Sequence, residues 1–169
     1  MPRTTIYVAQ ATAISQCEFR SFFKQNSDNT PLDLCRRLNK EWLRYRDSLK
    51  RVSNSPYRVN LPAASYLRER VLPKSKGVYA IFANHNSEKK LKCFYVGISE
   101  TDVYQRLVRH LREDIQKNYG NVFGSLKRAS KILICYSTIP NAKSKRQLEL
   151  LERCMTVKLN PDFLSQTAK

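Results

Sequence analysis

The sequence predicts an α+β fold with a helical extension at its N-terminus, and two observations carry that reading. Up to residue 73 the apolar residues recur at helical spacing, with prolines at 31, 56, 62 and 73 punctuating the pattern. After KSKG (74–77) the pattern changes to short runs rich in β-branched and aromatic residues, interleaved with helical segments. The change divides the chain into residues 1–75, a basic helical extension, and residues 76–169, a compact α+β unit.

The elements follow in order. TTIYVA (4–9) reads as a short strand, and residues 15–25 as a short helix broken by QNSDNT (25–30). Thr30-Pro31 opens a longer helix, with a capping residue, a proline at the first position and Asp33 near the positive end of the dipole. Leu34, Leu38, Trp42, Tyr45 and Leu49 then fall on one face. Pro56 and Pro62 bracket a turn-rich connection, and a helix over 63–72 stops at Pro73. GVYAIFA (77–83) and KCFYVGI (92–98), separated by polar NHNSEKK, read as a hairpin with a long tip. Val103, Leu107, Leu111 and Ile115 recur every four residues in a helix capped by Asp102, and a further helix lies near 121–129. KILICYSTI (131–139) is a third strand. A capping-box pattern at 144–147 then starts a helix through Leu148, Leu151, Met155 and Leu159 that Pro161 ends.

Composition narrows the function. Hydrophobic residues make up 41% of the 169, enough for a packed core rather than a disordered chain. The formal net charge is +17, with thirteen basic against six acidic residues up to position 70 and eighteen against eight beyond it. An excess spread this evenly exceeds what solubility needs and points to a polyanionic partner. Five cysteines without any C-x-x-C spacing read as buried thiols in a reducing compartment, not as a disulfide framework or a zinc site. The N-terminus lacks a signal-peptide core and no apolar run is long enough for a bilayer. The expected setting is soluble and cytoplasmic, with no membrane partner.

Several residues are candidates for chemistry. Tyr79 sits with Ile81 on one face of its strand, and Tyr95 with Cys93 and Gly97 on one face of the other, so a suitable register brings both phenols to the same side. Gly77 and Gly97 punctuate the hairpin, where glycine marks a close backbone approach. Arg106 and His110, four apart, project from one side of the following helix. Glu152 lies beside Leu151 and Met155, where a carboxylate needs a partner; a divalent cation between it and phosphate is one. Taken singly, each residue also has an ordinary explanation: paired core tyrosines, a solvated arginine, a surface histidine. Arg37, Lys40 and Arg44 form a basic helix face that suits phosphate contact as well as simple solvation, and Arg109 adds to the charge of the second helix.

In combination these residues resemble the GIY-YIG nucleases. GVY (77–79), YVG (95–97), VYQRLVRHL (103–111) and LLERCMTVKLNP (150–161) follow in the family's order, and Arg106 with His110 is most similar to the restriction-enzyme and homing-endonuclease branches. The resemblance spans roughly 76–164 and implies a three-stranded antiparallel sheet flanked by helices. Two departures stand out. Tyr79 and Tyr95 are 16 residues apart, which enlarges the hairpin tip. The position three residues after Pro161, an asparagine in many members, is Leu164 here; Asn160, directly before the proline, is the candidate replacement and a candidate nucleic-acid contact.

The resemblance also implies a mechanism. Glu152 holds one Mg²⁺ or Mn²⁺, Arg106 donates to the phosphate oxygens where charge develops, and Tyr79 activates water with Tyr95 orienting it or the phosphate. His110, titrating near neutrality, shares that role or accepts the Tyr79 proton, and Arg106 and the cation bring the Tyr79 phenol down from its ordinary pKa of about 10. The partner is DNA, in double-stranded form, and the N-terminal extension supplies DNA contacts or a homodimer interface. The rival reading is a non-catalytic DNA- or RNA-binding protein on the same scaffold, which explains the charge but not the ordered Tyr, Tyr, Arg, His and Glu.

Overall fold

The computed structural model describes residues 4–9, 12–14, 32–52, 57–59, 75–85, 89–114, 122–139 and 145–164. Six strands form one mixed sheet: β1 (Thr4–Val8), β2 (Thr12–Ala13), β3 (Tyr57–Val59), β4 (Gly77–Ala83), β5 (Lys92–Ser99) and β6 (Lys131–Thr138). Among the described residues three helices pack on it: α1 (Leu32–Asp47), α2 (Val103–Arg109) and α3 (Lys145–Leu159). The helices expected at 15–25 and 63–72 fall outside the described residues.

The α+β class and the antiparallel trio are as the sequence implies. β4 runs between β5 and β6, antiparallel to both. The sheet is larger than the three strands expected, however. β1 lies parallel to β6, β3 pairs antiparallel with β1, and β2 continues parallel along the far end of β6. All seven residues of β4 are buried, which explains why GVYAIFA reads as a continuous apolar run: neighbours flank it on both edges and helices cover both faces.

Strand alternation sorts the core into two layers. Val78, Ala80 and Phe82 face α1 and α3, meeting Leu34, Leu38, Trp42, Leu148, Leu151 and Met155. Tyr79 and Ile81 face the other way, toward Val103, Leu107 and Leu111 of the α2 segment and Phe123 and Leu126 of a 3₁₀ turn at Val122–Arg128. A fully buried side chain of the size of Leu or Phe contributes about 1.5–3 kcal/mol, so both layers are substantial.

One irregularity alters the expected side-chain pattern. Ile81 pairs with Tyr95 but the next residue, Phe82, pairs with Cys93, leaving Phe94 as an extra residue in β5. Phe94 and Tyr95 consequently point into the same layer, and Cys93 points into the opposite one. Tyr95 does not share a face with Cys93 as strict alternation had it.

The end of α3 is tied back to this bulge. Asn160 adopts a left-handed φ of 47°, a helix-ending conformation that asparagine tolerates. The chain then runs along the outer edge of β5, where the Asp162 N–H donates to the Cys93 carbonyl and the Phe163 N–H to the Phe94 carbonyl. His85 Nε2, 2.6 Å from Asp162 Oδ2, holds the same segment from the hairpin side. Among the described residues no helix is long and apolar enough to cross a membrane. Cys35, Cys93 and Cys135 are buried free thiols and Cys154 is a half-buried one.

Candidate active site

The hairpin register sets the two tyrosines beside each other. Tyr79 pairs with Gly97 and Ile81 with Tyr95, so the tyrosines are diagonal neighbours on one face, their ring centres 6.3 Å apart. Tyr79 is fully buried, and its ring lies over the Gly97 backbone. A Cβ there would come within 2.5 Å of the Tyr79 hydroxyl, 2.6 Å of its Cζ and 2.9 Å of a Tyr95 ring carbon. Gly77 meets a similar constraint from its other neighbour: a Cβ would stand 2.0 Å from the Ser137 carbonyl oxygen. The glycines of GVY and YVG are thus sites of close approach.

α2 delivers the arginine and histidine. Ser99 Oγ accepts from the Asp102 N–H, and Asp102 Oδ1 accepts from the Gln105 N–H, capping the helix as expected. Val103, Leu107 and Leu111 are fully buried, fixing which side of the segment meets the sheet. At His110–Asp114 the helix widens into a π turn, a feature that often marks functional positions. Arg106 keeps its side chain exposed while its guanidinium reaches the Tyr79 phenol. His110 is buried.

Four groups hold the His110 ring. Its Nε2 lies 2.7 Å from Tyr79 Oη and its Nδ1 2.8 Å from Asp114 Oδ2. Phe123 stacks on it at 4.0 Å with a 9° interplanar angle, and Tyr95 meets it edge-on at 5.3 Å. Asp114 and Phe123 are contributors that sequence reasoning missed. The signal for Asp114 was present, since it stands four residues after His110.

Glu152 is the contribution of α3. This helix packs against β5, the edge strand of the sheet, and Glu152 is only 1% exposed. Its negative charge is felt by both tyrosines, pushing their phenols up. Tyr79, Tyr95, Arg106 and His110 are therefore brought together, and Glu152 lies near enough for its charge to reach both phenols. Of the two buried carboxylates near the tyrosines, Asp114 faces His110 and Glu152 is the candidate ligand for a dication; no cluster of three or more His, Cys, Asp and Glu ligands occurs among the described residues. A single hard oxygen donor suits Mg²⁺ or Mn²⁺, ions that take most of their remaining ligands from water and substrate phosphate. Glu152 fits that chemistry.

Burial dominates the electrostatics. It pushes the Tyr79 phenol well above its ordinary value, reinforced by Tyr95 and opposed by Arg106. It also raises Tyr95 to about 12, with Glu152 adding to the effect. His110 is lowered from 6.5 to about 4, because desolvation outweighs the stabilising Asp114 carboxylate and Arg106 and Arg109 add repulsion. Arg106 does pull the Tyr79 phenol down, but by less than burial pushes it up. One expectation is corrected here: His110 does not titrate near neutrality, because the dry pocket penalises its charge more than Asp114 can offset.

The remaining candidates lie elsewhere. Arg37, Lys40 and Arg44 are exposed on α1, across the sheet from Tyr79, and with Glu41, Tyr45 and Arg51 they line a groove of about 790 Å³. Arg109 is exposed beside Arg106 on α2. Asn160 is exposed at the end of α3 and serves the helix stop described above, while Leu164 is exposed further along.

No curated protein and no solved structure matches the chain. Residues 75–151, which hold both tyrosines, Arg106 and His110 and end one residue before Glu152, match the model of the GIY-YIG catalytic domain.

Proposed function

We propose that the chain is a metal-dependent endonuclease that hydrolyses phosphodiester bonds in double-stranded DNA. The observation that carries this reading is the convergence of Tyr79, Tyr95, Arg106, His110 and Glu152, drawn from two strands and two helices, on one pocket of a +17 protein. The i, i+4 spacing of Arg106 and His110 supports kinship with the restriction and homing branches.

The roles follow from the chemistry of each group. The exposed Arg106 guanidinium is available to the non-bridging oxygens of a phosphate, where negative charge grows in the transition state. Tyr79 Oη takes a proton from the attacking water and passes its own to His110 Nε2, 2.7 Å away. Tyr95 walls the pocket and excludes water from the His110 ring. Glu152 is the ligand for Mg²⁺ or Mn²⁺. When bound, such a cation polarises a phosphate oxygen, stabilises the leaving 3′-oxygen and favours ionisation of neighbouring phenols. Burial favours the protonated Tyr79 phenol, and Arg106 and a bound cation are the groups that would oppose it. The groove lined by Arg37, Lys40 and Arg44 on the far side of the sheet supports a separate contact with the nucleic-acid backbone.

The test is supercoiled plasmid with Mg²⁺, run beside an EDTA control and a Glu152→Gln variant. Nicking or linearisation should need the metal, and Glu152→Gln should lower it by orders of magnitude while metal-free DNA binding holds or tightens. Cleavage that survives EDTA would remove the metal from the mechanism. Tight binding without cleavage of any DNA or RNA would identify a binding protein instead.

A further inference from the structure

A neutral imidazole carries one N–H, and what faces its two nitrogens decides where that proton sits. His110 Nδ1 faces Asp114 Oδ2 at 2.8 Å, and an ionised carboxylate can only accept. The ring proton is therefore drawn to Nδ1, which leaves a lone pair on Nε2. Across 2.7 Å from that lone pair lies Tyr79 Oη, whose hydroxyl proton has to point at it. The opposite tautomer would set two acceptors against each other at Nδ1 and turn an N–H toward Tyr79.

The setting makes Asp114 more than a surface ion-pair partner. The residue is 8% exposed and sits at the end of the π turn that begins at His110. The stacked Phe123 ring and the edge of Tyr95 remove the imidazole's freedom to rotate away from the carboxylate.

Resting on the reading of Tyr79 as the group that deprotonates water, we propose that Asp114 is a positioning residue for strand cleavage, fixing His110 as the Nδ1–H tautomer with its Nε2 lone pair on Tyr79. The step it prepares is balanced within the pocket. The Tyr79 Oη–H bond breaks, its electron pair stays on Oη, and an Nε2–H bond forms. The resulting imidazolium lies between a phenolate and the Asp114 carboxylate, so positive charge appears only where negative charge already faces it. Asp114 touches neither water nor phosphate; it acts through His110, as the third member of other hydrolytic triads acts through theirs.

The experiment is Asp114→Asn, assayed on plasmid cleavage under saturating DNA and followed by ¹⁵N NMR of the His110 ring. A carboxamide can turn its NH₂ toward Nδ1 and release the ring proton to Nε2. Turnover should then fall about a hundred- to ten-thousandfold, with KM for DNA and the melting temperature little changed. The NMR spectrum should show Nδ1–H in the unaltered protein and a shifted tautomer balance in the variant. Unchanged turnover in Asp114→Asn, or an Nε2–H tautomer in the unaltered protein, overturns the proposal. If Asp114→Asn does not fold, the tautomer measured in the unaltered protein decides by itself. An inactive unaltered protein would count against the nuclease reading, whereas an active one indifferent to Asp114→Asn would count against the positioning role alone.

Discussion

The Tyr79 phenol lies directly against the Gly97 backbone, so close that a single added methyl group would stand 2.5 Å from its oxygen. Tyr79 cannot step aside, because His110 holds its hydroxyl and the surrounding layer leaves it no exposed surface. Gly97→Ala should therefore cost about 1–3 kcal/mol as an overpacking change and depress cleavage together with stability. Removing the ring as well, in Tyr79→Ala/Gly97→Ala, should show less destabilisation than the two single changes added. Strict additivity in thermal melts would mean that the ring and the strand do not compete for this space.

Arg106 separates geometry from charge. Arg106→Ala should lower turnover about a hundred- to thousandfold, the scale of one lost transition-state donor, while DNA affinity changes little. Arg106→Lys should recover little of that loss, because a point charge does not reproduce a planar fork. Near-normal turnover in the Lys variant would show that only the positive charge matters. Single-turnover kinetics at saturating DNA make the measurement.

His110 makes a prediction about pH. Burial holds its native pKa at about 4, below the unfolded value of 6.5, with Asp114 opposing the shift and Arg106 and Arg109 adding to it. Between those values the unfolded chain binds a proton that the native ring refuses. The stabilisation is full above pH 6.5 and is lost as pH falls toward 4, by up to about 3 kcal/mol. Urea midpoints from pH 7.5 to 4.5 should fall more steeply for the unaltered protein than for His110→Gln. Direct NMR titration should find the His110 midpoint near 4, and a midpoint at 6.5 would contradict the dry pocket.

The α1 groove should respond to salt rather than to chemistry. Reversing charge at Arg37, Lys40 and Arg44 should flatten the slope of log affinity against log salt by about 2–3 if each neutralises one phosphate. The cleavage rate of bound substrate should stay near its original value, since the groove lies across the sheet from Tyr79. An unaltered slope would assign this face to packing or self-association.

The sequence disclosed these features unevenly, for physical reasons. β4, β6 and α3 were legible because long apolar runs and a 3.6 period leave strong marks. Thr12–Ala13 and Tyr57–Val59 were not, because two or three residues cannot display a period, and prolines near the latter suggested a turn. β1 was legible as a strand, but five residues say nothing of which strand they will join, so its pairing with β6 was hidden. The five candidate residues were singled out by their order along the chain. Asp114 escaped because one acidic residue among fourteen is anonymous until a buried ring turns toward it. The electrostatics escaped for a related reason: neighbours can be guessed from spacing, but the dryness that overrides them depends on packing from Phe123 and Phe94.

Phe94, the surplus residue of β5, uncouples two properties that a regular ladder would bind together. Strike it from the chain and Cys93 and Tyr95 fall back into simple alternation, with Tyr95 still facing Tyr79. What disappears is a hub. The Phe94 ring touches His85, Phe123 and Phe163, and its carbonyl anchors the segment that follows α3. A deletion of Phe94 would thus leave the tyrosine pair aimed as before while loosening both the platform under His110 and the moorings of the helix that carries Glu152. Aim and grip are separately heritable in this strand, and one inserted aromatic residue supplies the second without disturbing the first.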